Sequence, residues 1–222
     1  MTRVIMKLGG AVVAKSICRV LERRAAGEEV VVVHGGGAQI TEALHARGLG
    51  SRFVRGRRYT DPAALAVVRE SLVAVGAEVS AALGPAALQL VGDEIGLQAT
   101  AVTELGLVGT PLPCRPREVE RALAAGRIPV VTPIAVGPLN VNADEAATAL
   151  AVGLGAGCVI FVSDVPGVYL EGSVVASLGA DRAAALLEDG TFEGGIVPKL
   201  MAAVQAARLG LAVEIGETAV VA

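Results

Sequence analysis

The chain has 222 residues, a length that fits one large α/β domain or two small lobes. Hydrophobic residues make up 53% of it but aromatic residues only 2%, so alanine, valine, leucine and glycine must build the core. The formal net charge of −3 argues against broad nucleic-acid binding, and the 3 cysteines and 2 histidines lack the spacing of a zinc site.

The composition also bears on where the protein works. Cysteines that are few, odd in number and far apart fit a reducing cytoplasm. We see no signal peptide, because Lys7 and two glycines interrupt the first apolar run. Glycines also divide the longest uncharged stretch, residues 146–162, which is short for a membrane span. We therefore expect a cytoplasmic protein that neither binds nucleic acid nor crosses a membrane.

Apolar runs and capped, periodic segments alternate along the chain. In chain order they predict a strand at 4–7, a helix at 14–26, a strand at 30–33, a glycine turn at 34–37, a helix at 39–47, an arginine-rich loop at 51–61, a long helix at 62–83, short strands and turns at 87–110, a helix at 117–125, a strand at 128–131, a helix at 142–154, a strand at 158–162, helices at 181–188 and 199–209, and strands at 211–215 and 218–221. Asp61 before Pro62 is an N-cap signal for the long helix.

This alternation predicts an α/β fold, a three-layer αβα sandwich around an open, mainly parallel sheet. The run at 30–33 is apolar on both faces, as in a sheet that helices cover on both sides. Ligands of such sheets bind beyond the carboxyl ends of the strands. The segments 7–10, 34–37, 140–144 and 163–167 all follow predicted strands, so we expect them to gather at one edge.

Lysine is rare in this chain: Lys7, Lys15 and Lys199 stand against sixteen arginines. Lys7 precedes Gly9-Gly10, and Lys199 follows Gly194-Gly195. A compact ammonium group beside open backbone suits the binding of a phosphoryl group. The alternatives are a strand-end lysine beside a permissive turn for the first and a solvated helix-start lysine for the second, although the helix dipole disfavours a cation there. We interpret both as phosphoryl ligands.

The run His34-Gly35-Gly36-Gly37 joins a buried strand to a helix. Three successive glycines cost backbone entropy, and close approach of an anion to the helix N-terminus explains that cost. The alternative is a tight strand-to-helix turn. The run matches neither the P-loop pattern nor the dinucleotide fingerprint G-x-G-x-x-G. We interpret His34 as a hydrogen-bonded structural histidine and assign it no catalysis.

The polar cluster at 140–145 is the most specific in the chain. Asn142 is placed to cap the following helix, with Glu145 at the third position of a capping box. Helix capping leaves Asn140 and Asp144 unexplained. Asp144 is suited to hold lysine ammonium groups, and Asn140 to bind an amide or carboxylate of a substrate.

Four arginines crowd one loop: Arg52, Arg55, Arg57 and Arg58. A solvated loop is the default interpretation of such a charge run. Planar guanidinium groups also suit recognition of a substrate carboxylate, and we expect at least one to do so. The others then belong to the surface or face an acidic partner.

Together these segments resemble the amino-acid kinase family, most closely its members that phosphorylate N-acetyl-L-glutamate. The resemblance runs in family order over nearly the whole chain, and the segment at 140–150 is its most specific part. The matching segments are Lys7-Leu8-Gly9-Gly10, His34-Gly35-Gly36-Gly37, Arg58-Tyr59-Thr60-Asp61, residues 140–150 (NVNADEAATAL), residues 163–168 (SDVPGV) and residues 194–199 (GGIVPK).

The resemblance implies a carbamate-kinase-like fold and ATP-dependent phosphorylation of the side-chain carboxylate of N-acetyl-L-glutamate, the second step of arginine biosynthesis. Magnesium would enter with the ATP phosphates, and the protein itself would hold no metal. Several roles follow from the family pattern. The catalytic residues would be Lys7, Lys199 and Asp144, the substrate-binding residues Gly36, Gly37, Arg58 and Asn140, and the phosphate-binding residues Gly9 and Gly10. The ATP-binding residues would be Asp164, Val165, Pro166, Gly167, Val168, Tyr169, Thr191, Phe192 and Glu193.

The resemblance also implies an organisation. Residues 1–155 would form an N-terminal lobe that binds the acyl amino acid and dimerises, and residues 156–222 a C-terminal lobe that binds ATP. We expect a homodimer that is insensitive to arginine. The segment 92–110 is short where relatives carry a longer substrate-covering hairpin. Two alternatives remain: a kinase for glutamate or aminoadipate attached to an acidic carrier protein, and a non-catalytic sensor on the same fold.

Overall fold

The computed structural model describes residues 2–10, 14–54, 56–162 and 165–222. That part of the chain contains sixteen strands and seven α-helices. The strands are β1 (Arg3–Leu8), β2 (Glu29–His34), β3 (Phe53–Val54), β4 (Arg57–Arg58), β5 (Ala87–Val91), β6 (Ala99–Ala101), β7 (Val108–Pro111), β8 (Ile128–Thr132), β9 (Ile134–Ala135), β10 (Leu139–Val141), β11 (Cys158–Phe161), β12 (Tyr169–Leu170), β13 (Ser173–Val174), β14 (Ser177–Gly179), β15 (Ala212–Ile215) and β16 (Thr218–Val221). The helices are α1 (Ala14–Ala25), α2 (Gly37–Ala46), α3 (Pro62–Leu83), α4 (Arg117–Ala124), α5 (Ala143–Gly153), α6 (Ala180–Glu188) and α7 (Ile196–Arg208).

Eight strands form the main sheet, in the order β14-β16-β15-β11-β1-β2-β8-β5. The six strands from β15 to β5 in this order are mutually parallel. Strand β16 runs antiparallel to β15, and β14 runs parallel to β16. The reversal has a local cause: only Gly216 and Glu217 separate β15 from β16, and so short a connection permits a hairpin but no crossover.

Helices cover both faces of this sheet. Alternate side chains of β1 and β2 enter different cores, because successive residues of a strand point to opposite faces. Ile5 and Val31 join the core formed with α4, α5, α6 and α7. Val4 and Val32 join the core formed with α1 and α3. These three layers around an open, mainly parallel sheet confirm the predicted fold class.

The sequence patterns did not predict the smaller sheet or the hairpins β3–β4 and β12–β13. The smaller sheet has the order β6-β7-β10-β9, and Asn140 lies within its strand β10 rather than after a strand. The segment expected to be a loop at 51–61 contains the hairpin β3–β4, in which Phe53 pairs with Arg58. Strands of two residues carry no alternation, so the pattern could not predict them.

Two helix starts also differ from expectation. Helix α2 begins at Gly37, two residues early, and α7 begins at Ile196, three residues before Lys199. Pro198 therefore lies in the first turn of α7, where a missing N–H costs no helix hydrogen bond. The predicted N-cap of α3 is confirmed: the Asp61 side chain accepts a 2.7 Å hydrogen bond from the Ala64 N–H.

The expected division of the chain between residues 155 and 156 falls between α5 and β11. Strand β11 pairs with β1, so one sheet runs through both parts, and their separate roles stay a prediction. Among the helices that the structure describes, none combines the length and apolar character that a membrane crossing requires.

Candidate active site

The carboxyl ends of several parallel strands meet at one edge of the main sheet. The Gly35 N–H donates to the Leu8 carbonyl at 2.9 Å, and the Val162 N–H donates to the Lys7 carbonyl at 2.9 Å. The segments that follow β2 and β11 therefore lie on either side of the end of β1, as expected. Residues 163 and 164 lie outside the described residues.

One carboxylate joins the two lysines that the sequence singles out. Lys7 Nζ lies 3.1 Å from Asp144 Oδ1, and Lys199 Nζ lies 3.7 Å from the same oxygen. All three residues are at most 9% exposed. Asp144 Oδ1 accepts no well-aligned hydrogen bond from the described part of the chain, so both contacts are charge contacts. Such a contact leaves the Lys7 ammonium group able to turn toward a bound anion.

Asp144 is positioned by a capped helix start. Asn142 is the N-cap of α5, and its Oδ1 accepts hydrogen bonds from the N–H groups of Asp144 at 2.8 Å and Glu145 at 3.2 Å. The predicted N-cap is thus confirmed. A carboxylate in the first turn is also favoured by the helix dipole.

Only half of the predicted capping box forms: Glu145 occupies the third position and its N–H binds Asn142, but its carboxylate does not return to the Asn142 N–H. Its two oxygens accept hydrogen bonds from Nε and Nη2 of Arg57 at 3.0 and 2.7 Å. A guanidinium group offers two parallel donors that match a carboxylate, so this pair outcompetes the return bond to the Asn142 N–H.

The two glycine segments approach each other closely. A methyl group on Gly10 would lie 2.8 Å from the Gly36 Cα, so neither segment has room for a side chain there. Gln39 Nε2 donates to the Gly10 carbonyl at 2.6 Å and ties α2 to the segment after β1. A methyl on Gly35 would lie 3.7 Å from Lys7 Nζ. The glycines therefore leave the ammonium group uncovered.

His34 has the structural role that the sequence suggested. It is fully buried, with Nε2 3.2 Å from Thr132 Oγ1 and Nδ1 3.1 Å from the Gly35 carbonyl. Burial lowers its pKa below the ordinary value, and the nearby Lys7 charge acts in the same direction. The ring is therefore held neutral beneath the glycine turn.

Arg58 is a buried cation that pairs with no carboxylate of the described residues. Its Nη2 donates to the Gly37 carbonyl and to Thr41 Oγ1, both at 2.9 Å, and its Nη1 contacts Ser51 Oγ. Its guanidinium carbon lies 4.5 Å from the centre of the Phe53 ring. Burial lowers the pKa of Arg58, which means that its charge is poorly solvated. A buried, unpaired cation is well placed to receive an anionic ligand.

A cavity of about 190 Å³ is lined by Lys7, Asp144, Arg58 and the glycines at 35–37. It lies between the glycine turn, the β3–β4 hairpin and the start of α5. Asn140 also lines it and donates from Nδ2 to Thr60 Oγ1 at 3.0 Å, which leaves its carbonyl oxygen for another partner. The polar groups that line it are Lys7, Arg57, Arg58, Asn140, Asn142 and Asp144. The apolar residues that line it include Ile40, Phe53, Leu72, Val108 and Val141.

The residues expected to bind ATP lie in two segments and differ in exposure. Val165, Pro166, Tyr169, Thr191 and Glu193 are exposed, and Phe192 is half-buried. Val168 differs: its side chain is fully buried, its N–H donates to Thr218 Oγ1 at 2.9 Å and its carbonyl accepts from Val175. Its contribution to a nucleotide site is therefore restricted to shaping the segment.

Gly167 shows a similar constraint, because a methyl group there would lie 2.6 Å from Thr218 Oγ1. Asp164, also expected to bind ATP, lies outside the described residues.

No cluster of metal-ligating side chains occurs among residues 2–10, 14–54, 56–162 and 165–222.

Comparison with known proteins decides the family. The model of the amino acid kinase family matches residues 2–216. This chain belongs to the amino acid kinase family. The acetylglutamate kinase of Roseiflexus castenholzii (strain DSM 13941 / HLO8) is 39% identical over 225 residues, covering 93% of this chain and 86% of the relative. The acetylglutamate kinase of Geobacillus stearothermophilus is 37% identical, covering 91% of this chain and 84% of the relative. Both match the predicted resemblance.

Solved structures agree on the fold of this amino acid kinase. The smu.665 protein of Streptococcus mutans UA159 has a TM-score of 0.90 and 25% identity, over 99% of this chain and 98% of that one. A carbamate kinase from Giardia lamblia, bound to AMP-PNP, has a TM-score of 0.70 and 14% identity over 99% and 98% of the two chains. The carbamate-kinase-like fold is therefore confirmed.

Some groups at the site of this amino acid kinase were missed in the sequence. Gln39, which holds the Gly10 carbonyl, carried no motif signal, and Thr60, which binds Asn140, lay in the matching segment 58–61 but was given no role. Phe53 lines the cavity although two-residue strand β3 was not expected. Arg57 was singled out as a candidate for a substrate carboxylate, for the surface or for an acidic partner, but not as the partner of Glu145. The partners of these groups are distant in the sequence, so only the fold brings them together.

Proposed function

We propose that this amino acid kinase transfers the γ-phosphoryl group of ATP to the side-chain carboxylate of N-acetyl-L-glutamate, in arginine biosynthesis. One observation carries the proposal: Lys7 and Lys199 approach one buried oxygen of Asp144 beside a cavity lined by Arg58, a cation that no carboxylate of the described residues neutralises. The name acetylglutamate kinase of relatives at 35–41% identity supports this choice of reaction and acceptor.

The cavity suits a small acceptor with two carboxylates. Its volume of about 190 Å³ is below the range of roughly 300–1,000 Å³ for pockets that hold drug-sized ligands. Arg58 would bind the α-carboxylate through its planar guanidinium group. Asn140 would accept a hydrogen bond from the amide N–H of the acyl group. The side-chain carboxylate would then extend toward Lys7.

The transfer needs no covalent intermediate on the protein. An oxygen of the acceptor carboxylate forms a bond to the γ-phosphorus while the bond from that phosphorus to the β–γ bridging oxygen breaks, and ADP leaves with the electron pair. Negative charge is spread over the transferring group. Lys7 and Lys199 would stabilise that charge, and Asp144 would hold them in place before the substrates arrive. Gly36 and Gly37 would bind the acceptor and the transferring group, and Gly9 and Gly10 the phosphates.

The nucleotide would occupy the segments 164–169 and 191–193. Exposed side chains there, Val165 and Tyr169 among them, offer surface for an adenosine group. Mg²⁺ would arrive on the ATP phosphates and would offset their charge during transfer. We assign residues 156–222 to ATP binding and residues 1–155 to acceptor binding and to dimerisation of two copies, in the cytoplasm.

The carrier-linked alternative receives less support. Arg57, which could have faced an acidic partner, is engaged with Glu145 inside the protein. Arg52 stacks on Tyr59, with its guanidinium carbon 4.5 Å from the ring centre. The relatives' names also point to the free acyl amino acid. A sensor without catalysis is disfavoured because Lys7, Asp144 and Lys199 are all present and in contact.

The test is acyl-phosphate formation from ATP and Mg²⁺, trapped with hydroxylamine, with N-acetyl-L-glutamate, glutamate and aminoadipate as separate acceptors. We expect hydroxamate with N-acetyl-L-glutamate alone. Carrier-linked glutamate is the fourth acceptor, and hydroxamate from it alone would replace the acceptor but keep the reaction. Binding of ATP without product from any acceptor would favour the sensor.

A further inference from the structure

Three consecutive residues of the β3–β4 hairpin, Gly56, Arg57 and Arg58, contact three helices of the site. Gly56 packs on Pro198, the neighbour of Lys199: a methyl group on Gly56 would lie 3.2 Å from the Pro198 Cβ. Arg57 binds Glu145, the neighbour of Asp144. The third residue, Arg58, donates to the Gly37 carbonyl, as described above. The segment 56–58 therefore contacts the first helical turn of each of α7, α5 and α2.

Arg57 makes the strongest of these contacts. Its guanidinium group binds both carboxylate oxygens of Glu145, at 3.0 and 2.7 Å, and its Nη1 donates to Thr110 Oγ1 at 2.9 Å. The side chains of both partners are about one-quarter exposed or less. A bidentate pair of this kind restricts orientation as well as distance. It therefore fixes the hairpin relative to α5 and to strand β7 of the smaller sheet.

We propose that Arg57 is a positioning residue for acceptor binding. Its pair with Glu145 holds the hairpin closed over the cavity, so that Arg58 faces the acceptor at a fixed distance from Asp144. The inference rests on the proposed function, in which Arg58 binds the acceptor. Arg57 lines the same cavity, but its bonds to Glu145 and Thr110 engage all three of its nitrogens and hold the guanidinium plane against α5 and β7, so we assign it to holding Arg58 rather than to the acceptor itself.

Loss of the Arg57–Glu145 pair should change the KM for the acceptor and little else. In Arg57→Ala and in Glu145→Gln, the hairpin loses its bidentate contact, and Arg58 must be ordered when the acceptor binds. We expect the KM for N-acetyl-L-glutamate to rise about tenfold in each variant, as the loss of one charge-assisted contact would give. The KM for ATP and kcat should change little, because the lysines and Asp144 keep their places. Arg57→Lys should lie between wild type and Arg57→Ala, because lysine keeps the charge without the planar fork.

A double-mutant cycle and a matched control separate positioning from general stability. Arg57→Ala combined with Glu145→Gln should raise the acceptor KM no further than the worse single variant, because both remove one interaction. Arg208→Ala breaks an arginine–carboxylate pair at 2.8 Å on the exposed surface, with Asp181, and should keep the wild-type KM. Tm is measured for every variant, since a purely structural pair would lower Tm without changing the acceptor KM.

An unchanged acceptor KM in Arg57→Ala, or additive effects in the double variant, would overturn the inference. Hydrogen exchange of the peptide covering residues 52–60 tests the anchoring without any substrate. We expect faster exchange there in Arg57→Ala and Glu145→Gln and wild-type exchange in Arg208→Ala. If the wild-type protein fails to phosphorylate N-acetyl-L-glutamate, the proposed function fails. Hydrogen exchange then decides whether Arg57 anchors the hairpin, and unchanged exchange at 52–60 in Arg57→Ala would overturn that anchoring too.

Discussion

The ammonium group of Lys7 lies 3.1 Å from Oδ1 of Asp144, and both side chains are buried. Lys7 ends a strand near the start of the chain, and Asp144 begins a helix far along it, so the contact depends on the whole sheet. Because Lys199 approaches the same oxygen at 3.7 Å, one carboxylate organises cations from β1 and α7.

Asp144→Asn should lower kcat by about 10²-fold or more, the size of effect seen when one preorganised electrostatic contact is removed. Asparagine keeps the shape but not the charge, so the two ammonium groups would repel each other and leave their positions. Hydroxamate formation measures kcat. Asp181→Asn, which changes an exposed aspartate paired with Arg208, is the matched control and should keep the wild-type kcat. Wild-type kcat in Asp144→Asn would remove Asp144 from the mechanism.

Arg58→Lys should raise the KM for N-acetyl-L-glutamate about tenfold, because lysine cannot bind a carboxylate through two parallel donors. The KM for ATP should stay close to the wild-type value. Arg52→Lys makes the same substitution at an exposed position of the same segment and should change neither constant. Equal increases of the acceptor and ATP KM in Arg58→Lys would argue against a direct contact with the acceptor.

Gly10→Ala should lower Tm, whereas Gly9→Ala should not. A methyl group on Gly10 would lie 2.6 Å from Gln39 Oε1 and 2.8 Å from the Gly36 Cα, and the backbone of Gly36 cannot move away as a flexible side chain could. A methyl group on Gly9 meets nothing within 4 Å in the part of the chain that the structure describes. Overpacking of this kind typically costs about 1–3 kcal/mol. Thermal unfolding of the two variants checks the difference, and equal Tm values would contradict the close approach of the two glycine segments.

The buried His34 makes stability depend on pH. Its pKa in the folded protein is lowered from 6.5 by burial, so below pH 6.5 the unfolded chain binds a proton that the folded protein does not. Stability should therefore fall as the pH drops from 6.5 toward the lower folded-state pKa. Urea unfolding at a series of pH values should show a flatter slope in His34→Gln than in wild type, with His45→Gln as the control for loss of an exposed histidine. An equal slope in His34→Gln and wild type would remove His34 as the cause.

The sequence predicted most accurately where the determining signals are local. The N-caps Asp61 and Asn142 sit directly before their helices, so short patterns sufficed to place α3 and α5. The apolar run at 30–33 likewise reflected burial on both faces of one strand. Sequence reasoning placed Asp144 near Lys7 because both segments were expected at one edge of the sheet, whereas its association with Lys199 was expected from the resemblance to the family.

The remaining features depend on contacts between distant residues. Hairpin β3–β4 is held by Arg57 binding Glu145, a partner 88 positions away that no window on the sequence includes. The early start of α7 was obscured because Pro198 and the preceding glycines are typical of a turn. Val168 was assigned to the nucleotide from its place in a motif, whereas its side chain belongs to a hydrophobic core and its N–H binds Thr218 Oγ1.

Single-turnover transfer of γ-labelled phosphate from ATP to N-acetyl-L-glutamate, in Lys199→Ala and Lys15→Ala, measures whether the lysines held by Asp144 stabilise the transferring group. The two variants remove a buried lysine at Asp144 and an exposed lysine on α1. We predict that Lys15→Ala transfers label at the wild-type rate and that Lys199→Ala is slower by about 10²-fold or more. Transfer at the wild-type rate in Lys199→Ala would contradict the proposal that the lysines held by Asp144 stabilise the transferring group.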